Sequence, residues 1–420
     1  MKKIFREADI LLPDFEKTDG TKWACIACDQ YTSEPQVWES IRNTVGNAPS
    51  TLDLILPEVY LSESDERTES INSCMKKYEE DILISHPDSM IYLERTQSDG
   101  KVRRGIIGAI DLEQYDYSRG ARSLIRATEG TVIERIPPRV KVRRDAPIEL
   151  PHVMLLIDDD KRSVIEKIAQ MTSKLKEAYE FPLMQNGGYV RAFWLGEKEQ
   201  GYVQTALSDL ISDTEIERKY GQVGLSPLLF AVGDGNHSLA TAKACYELIK
   251  SELGADAAAS HPARYALCEI VNLHDDALSF EPIYRVIFNA DVDSLISELR
   301  DYAASLDGGE TAQGVDVIYC DRQEHITFDR PTAQLTVGTL QVFLDGYKAA
   351  HPEIEIDYIH GEGSVRALVN SNTCVGFVFD GMSKDQLFKT VIFDGALPRK
   401  TFSMGHADDK RFYIEARKIK

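Results

Sequence analysis

Apolar residues fall along the chain at two spacings, and the change from one to the other predicts an α/β protein of mixed sheets and helices. Ile71, Met75, Tyr78 and Ile82 stand three and four residues apart, the repeat of a helix with one buried face. Residues 90–95 alternate as a strand does, Ser98-Asp99-Gly100 supplies a turn, and residues 102–110 return as a second apolar strand, so a hairpin is expected. Short apolar runs at 153–157, 189–195, 225–232 and 265–271 predict further strands. Helical stripes lie at Val164, Ile168, Met171 and Leu175, at Leu239, Ala242, Tyr246, Ile249 and Leu253, and at Val292, Leu295, Leu299 and Tyr302. The last third continues the alternation with strands expected at 315–320, 354–359 and 375–379.

Length and charge sharpen this picture. At 420 residues the chain exceeds the size at which one core stops growing. Two α/β regions are therefore expected, 1–255 with a glycine turn near its end and 256–420 after it, unless they interlock as one unit. Residues 251–262, rich in alanine and small polar side chains, form the candidate connection. A formal net charge of −20 works against nucleic acid as a partner and favours a small-molecule substrate. The start, Met1 to Glu7, lacks the apolar stretch of a secretory signal, and no run approaches membrane-spanning length, so the expected compartment is the cytoplasm and no membrane partner is expected. The seven cysteines, an odd number thinly spread, suit reduced thiols. Cys25 and Cys28 read as two small buried residues, or as a redox pair or half of a zinc site.

The densest chemistry follows the strand at 225–232. Gly233-Asp234-Gly235-Asn236-His237-Ser238 joins an apolar strand to an amphipathic helix, so backbone amides at the helix start are placed to meet an anion. Asp234 suits a divalent cation, and Asn236, His237 and Ser238 add side-chain donors. The plainer alternative is a glycine turn with Asn236 or Ser238 as helix cap. A basic stretch, with Arg119, Arg122, Arg126, Arg135, Arg139, Lys141, Arg143 and Arg144, stands out in so acidic a chain. If its first part is helical, Arg119, Arg122 and Arg126 share a face suited to phosphate or carboxylate; a solvated face paired with acids elsewhere is the alternative. Glu129 is the acid there best placed to act as a base. Near the C-terminus, residues 397–406 bring Lys400 and His406 as candidates for an anionic substrate. Asp158-Asp159-Asp160 reads as a helix cap rather than a metal site. Serine-hydrolase, zinc-protease and dinucleotide fingerprints are absent from the sequence.

These segments carry a resemblance. Residues 22–33, Arg126-Ala127-Thr128-Glu129-Gly130-Thr131, Glu149-Leu150-Pro151-His152, the 233–238 turn, Asp357-Tyr358-Ile359-His360-Gly361 and residues 400–405 together resemble the family numbered 1015 among the domains of unknown function. The turn is also similar to the Asp-Gly-His-His-Arg loop of the ParB and sulfiredoxin superfold, to which free-serine kinases are similar too. That resemblance implies a ParB/sulfiredoxin-like core beside a second α/β region, with phosphate contacts from Gly233, Gly235, Asn236, His237 and Ser238. Asn236 and Ser238 depart from the loop's first histidine and its arginine, so Arg126, Arg139 or Lys400 is expected to supply the missing charge.

The function expected on this reading is a nucleotide-dependent phosphotransferase acting on a small hydroxyl-bearing metabolite such as serine. ATP or ADP is the donor, Asp234 holds Mg²⁺, and Glu129 takes the hydroxyl proton. His237 and Lys400 help to offset phosphoryl charge. A phosphate-ester hydrolase and a non-catalytic nucleotide sensor stay open as alternatives.

Overall fold

A computed structural model describes residues 3–32, 34–130, 136–371, 373–405 and 409–420. The fold is mixed α/β, with several sheets. Its largest sheet runs in the order Lys176–Pro182, Tyr189–Trp194, Ile91–Thr96, Val102–Asp111, Tyr265–Asn272, Met154–Ile157, Phe230–Asp234, Ile125–Ala127 and Tyr115–Asp116, with Phe5–Arg6 paired onto Val102–Asp111. The hairpin expected around Ser98-Asp99-Gly100 is there, Ile91–Thr96 pairing antiparallel with Val102–Asp111. A second sheet is built from Arg322–Phe328, Gln313–Tyr319, Val375–Phe379, Phe280–Phe288 and Glu355–His360, and Phe402–Met404 joins the near end of Phe280–Phe288.

The large sheet takes one of its central strands, Tyr265–Asn272, from beyond position 255. The chain end also returns to the first half: Phe412–Tyr413 pairs with Cys25–Ile26, and Ala416–Lys418 lies between Ala8–Pro13 and Ile148–Glu149. A cut at 255/256 therefore leaves one sheet shared across it.

Three local expectations need correction. Residues 119–124 form no helix, and Ile125–Ala127 is instead a strand in parallel register with Phe230–Asp234. The strand expected from 225 begins only at Phe230. Pro227 has no N–H to give to a ladder, and the carbonyls of Ser226 and Pro227 accept from the Arg126 guanidinium at 2.9 and 3.0 Å. The stripe from Val164 to Leu175 is likewise broken, into the helix Ile165–Ala169 and the tighter turn Thr172–Lys174. Asp159 caps the start of this region, accepting from the amides of Ser163 and Val164 at 2.6 and 2.8 Å.

At the centre of the large sheet sits a fully buried carboxylate, Glu269. Arg103 Nε lies 3.5 Å and Arg411 Nε 3.2 Å from its two oxygens, and Arg411 also reaches Glu415 at 2.6 Å. Arg103 and Arg95 donate to the Asp409 carbonyl at 2.9 and 3.3 Å, which fastens the segment before Arg411 to the same sheet. Burying a charge without its partner costs far more than the intact pair contributes. Arg411→Met strips Glu269 and Glu415 of a shared cation, and a loss of about 3–5 kcal/mol in urea unfolding is expected. A loss under ~1 kcal/mol, the value of an exposed pair, would show that the network is not an anchor.

Candidate functional site

The parallel pairing of Ile125–Ala127 with Phe230–Asp234 fixes the site. Val232 stands opposite Ala127, so two residues further on Asp234 leaves its strand beside Glu129. Carboxyl ends of adjacent parallel strands are where open α/β sheets collect ligands. Met154 pairs with Asp234 from the other side, which brings His152 to the same edge.

The turn then reverses the chain into an 18-residue helix, Asn236–Leu253. Gly235 takes φ +83°, and a methyl group there would lie 3.0 Å from Val153 Cγ2 and 3.1 Å from its Cα. Backbone conformation and close packing both demand glycine. Among the described residues no side chain caps this helix, and neither Asn236 nor Ser238 serves as its cap. Asn236 instead reaches back to the Thr128 hydroxyl at 3.3 Å, and Thr128 in turn donates to the Val232 carbonyl at 2.6 Å. The first amides of the helix are left facing a cleft of about 890 Å³.

Glu129, Arg139, Gly233, Asp234, Gly235, Asn236, His237, Ser238 and Lys400 all line this cleft. Burial pushes the Glu129 carboxyl above its ordinary pKa, and the Lys400 amide and the Arg285 charge only partly offset it. Leu397 N–H donates to the Thr128 carbonyl at 2.7 Å, which brings the Lys400 segment alongside. Lys400 itself, at φ +52°, sets its ammonium 5.1 Å from the centre of the Tyr358 ring. The same ring stacks against Arg285 and Arg399 at 4.8 and 5.6 Å. Burial lowers the Arg285 pKa to about 10, and its guanidinium donates to the carbonyls of Arg399 and Lys400.

Arg126 does not belong to the site. It is buried, and it donates from Nε to Ser123 as well as to Ser226 and Pro227, so its fork is spent on backbone carbonyls. Most of the remaining basic stretch is paired structurally, Lys141 with Asp65 and Arg143 with Glu149. Arg139 lines the cleft and pairs with Glu58. His406 and Arg135 lie outside the described residues.

Four cleft or near-cleft residues had no role on sequence grounds: Asp29, His152, Lys410 and Tyr413. Lys410 meets Asp234 at 3.2 Å. The buried His152 holds Tyr413 OH at 2.7 Å through Nδ1, while its Nε2 lies 3.3 Å from Ser238 Oγ and 3.5 Å from Asp29 Oδ2. Burial opposes the imidazolium, yet the Asp29 carboxylate outweighs it and raises the His152 pKa. Burial also opposes the charge on Asp29, but His152 and the Gln30 amide hold its carboxyl well below the usual range. The signals in sequence were Asp29 directly after Cys28 and a histidine directly before an apolar strand. Nothing in the spacing linked them. The Cys25 thiol is pushed well up by burial and Cys28 up to about 12. Cys28 Sγ accepts from Tyr413 at 3.1 Å, and among the described residues no cluster of three or more His, Cys, Asp or Glu could hold a metal.

A mixed α/β sheet thus presents a cleft at its strand ends, where four carboxylates and three cations meet an uncapped helix start. The chain belongs to the family described as protein of unknown function DUF1015, whose profile matches residues 13–366. No curated protein matches it. Among solved structures, a free serine kinase mutant in complex with ADP is similar at 11% identity, TM-score 0.38, over 76% of this chain and 93% of that one. A conserved hypothetical protein from Pyrococcus furiosus is similar at 12% identity, TM-score 0.34, over 71% and 90%. SbnI with C-terminal truncation from Staphylococcus aureus is similar at 10% identity, TM-score 0.33, over 71% and 82%. Among the described residues no helix is long and apolar enough to cross a membrane.

The Asp29–His152 pair makes stability depend on pH in a set direction. His152 has a raised pKa in the fold, so its contribution is complete below about 6.5, the free imidazole value, and is lost as pH rises through the folded value. Asp29 has a depressed pKa, so its contribution is lost only in acid, below its free value of 3.8. Urea midpoints measured from pH 6 to 9 are expected to fall more steeply for the wild type than for Asp29→Asn. Parallel curves for the two proteins would contradict the pairing.

Proposed function

We propose that the protein is a nucleotide-dependent phosphotransferase acting on a small hydroxyl-bearing metabolite such as serine. One observation supports this most: a carboxyl raised in pKa by burial, Glu129, shares a cleft with the start of a long helix and with Lys400 and Lys410. Phosphoryl transfer requires just these functions, an anion cradle for the donor and a base for the acceptor.

In this reading the donor, ATP or ADP, lays its phosphates against the amides at 236–238, and the Lys400 ammonium offsets charge on the transferring group. Glu129 accepts the proton of the acceptor hydroxyl. The acceptor oxygen bonds to the terminal phosphorus as the bond from phosphorus to the bridging oxygen breaks, and the shortened nucleotide leaves with the electron pair. Elevation of the Glu129 pKa makes it a better proton acceptor than an ordinary carboxylate. His237 and Ser238 lie beside the amides as additional donors, and Arg139 stands at the rim paired with Glu58.

Mg²⁺ commonly takes one or two carboxylates together with substrate phosphates rather than a full protein cage. Asp234 fits that requirement, as a cleft carboxylate next to Glu129 that Lys410 now neutralises. Mg²⁺ held there would neutralise donor phosphate charge.

The test is a melt and transfer screen with ATP or ADP, Mg²⁺ and a panel of hydroxyl amino acids and alcohols. A nucleotide at a hundred times its dissociation constant should stabilise the fold by ~2.7 kcal/mol. Phosphorylated acceptor is the expected product. Glu129→Gln should reduce transfer by about 10²–10⁴-fold, the usual contribution of a general base, and keep the nucleotide shift. The wild-type rate should also fall in acid, as Glu129 is protonated, at a pH above the ordinary glutamate value. Free phosphate without acceptor would replace this reading with a hydrolase, binding without turnover would replace it with a sensor, and no nucleotide shift at all would remove the nucleotide.

A further inference from the structure

Beside the cleft lies a second, smaller cavity of about 180 Å³. Much of its wall is apolar, with Leu56, Met75, Val142, Ile148, Ala242 and Leu267 brought together from distant parts of the chain. Protein interiors seldom leave voids of this size unfilled, because the lining side chains forfeit dispersion contacts. An apolar cavity of about 150 Å³ is large enough to take a benzene ring. The chamber adjoins the cleft, because Glu58, Leu61, Arg139 and Ser238 line both. Its polar edge therefore coincides with the place where Ser238 and His152 gather, and the Arg143 and Glu149 side chains that also border it are paired with each other. Binding sites of this kind combine an apolar pocket with a few polar groups at one end.

We propose that the chamber is a binding site for an apolar group of about six carbons, a phenyl ring or a branched alkyl chain, carried by the same small molecule that presents its hydroxyl to the cleft. The inference rests on the cleft being a small-molecule site. It narrows the acceptor from any small hydroxyl compound, serine included, to one with hydrocarbon beside the hydroxyl. Ser238 and His152 stand at the junction, where the hydroxyl-bearing carbon of such a molecule would sit between chamber and cleft. Glu58 and Arg139, paired with each other across the shared rim, present no lone charge to the hydrocarbon.

Met75 lines the chamber and Met404 lines the cleft, so two methyl groups report on the two compartments separately. With methyl-labelled methionine in the full chain, 2-phenylethanol should shift the Met75 resonance saturably through the ring current of the bound phenyl. Ethanol, with the same hydroxyl and no ring, should leave Met75 unmoved. Ala242→Leu fills the chamber from the helix side and Ala146→Leu from the opposite wall, so whichever variant folds should abolish the Met75 response. An unmoved Met75 up to the solubility limit, an equal response to ethanol, or similar shifts at all methionines would overturn the proposal. No nucleotide is present in this titration, and ADP is added afterwards with Met404 as its reporter. A Met404 response to ADP without a Met75 response to 2-phenylethanol would end the chamber proposal alone, and the reverse would end the nucleotide reading alone.

Discussion

The charge on Glu269 is the constraint from which much of the architecture follows. A carboxylate fully enclosed at the centre of a sheet needs cations within a few ångströms, since water is not there to solvate it. One cation, Arg103, comes from the neighbouring strand, and the other, Arg411, comes from the far end of the chain. The C-terminal segment must therefore cross back over the first half of the molecule. In crossing, it carries Lys410 to Asp234 and Tyr413 to His152. A structural ion pair thus delivers two cleft-side groups, which ties the integrity of the site to the burial of a charge several residues away.

The second determinant is a register. Three residue pairs between Ile125–Ala127 and Phe230–Asp234 are enough to set Glu129 and Asp234 side by side. The positive φ at Gly235 then lets the chain turn at once into a helix whose first amides face the same space. The Asp234 charge is one of the influences that keep the Glu129 pKa high. Lys410 moderates the effect by pairing with Asp234.

The sequence was legible where the structure is local. Leu239, Ala242 and Tyr246 recur at helical spacing and are buried on one face of Asn236–Leu253, and the hairpin around Gly100 follows from turn residues between alternating runs. The glycine turn, Glu129, Arg139 and Lys400 were marked by polar density, and they line one cleft. Pairing order between distant segments was not legible. Arg126 shows the difficulty: as an arginine in a basic stretch it looks like an anion ligand, but Pro227 breaks the incoming strand and leaves carbonyls that the guanidinium must satisfy. Asp29 and His152 were illegible for the same reason, because an ion pair between residues more than a hundred apart leaves no periodic trace. The helix Thr336–Ala350 was overlooked although Val337, Leu340, Leu344 and Tyr347 carry the usual stripe.

If the protein uses a nucleotide as proposed, the amides at the start of Asn236–Leu253 hold its phosphates. Amide hydrogen exchange with and without ADP addresses those groups directly, because a phosphate oxygen bound to an N–H slows its exchange. Slower exchange is expected at residues 236–238 and at 399–401, with the outer strands of the second sheet unchanged. Unaltered exchange at 236–238 in protein saturated with ADP would contradict it.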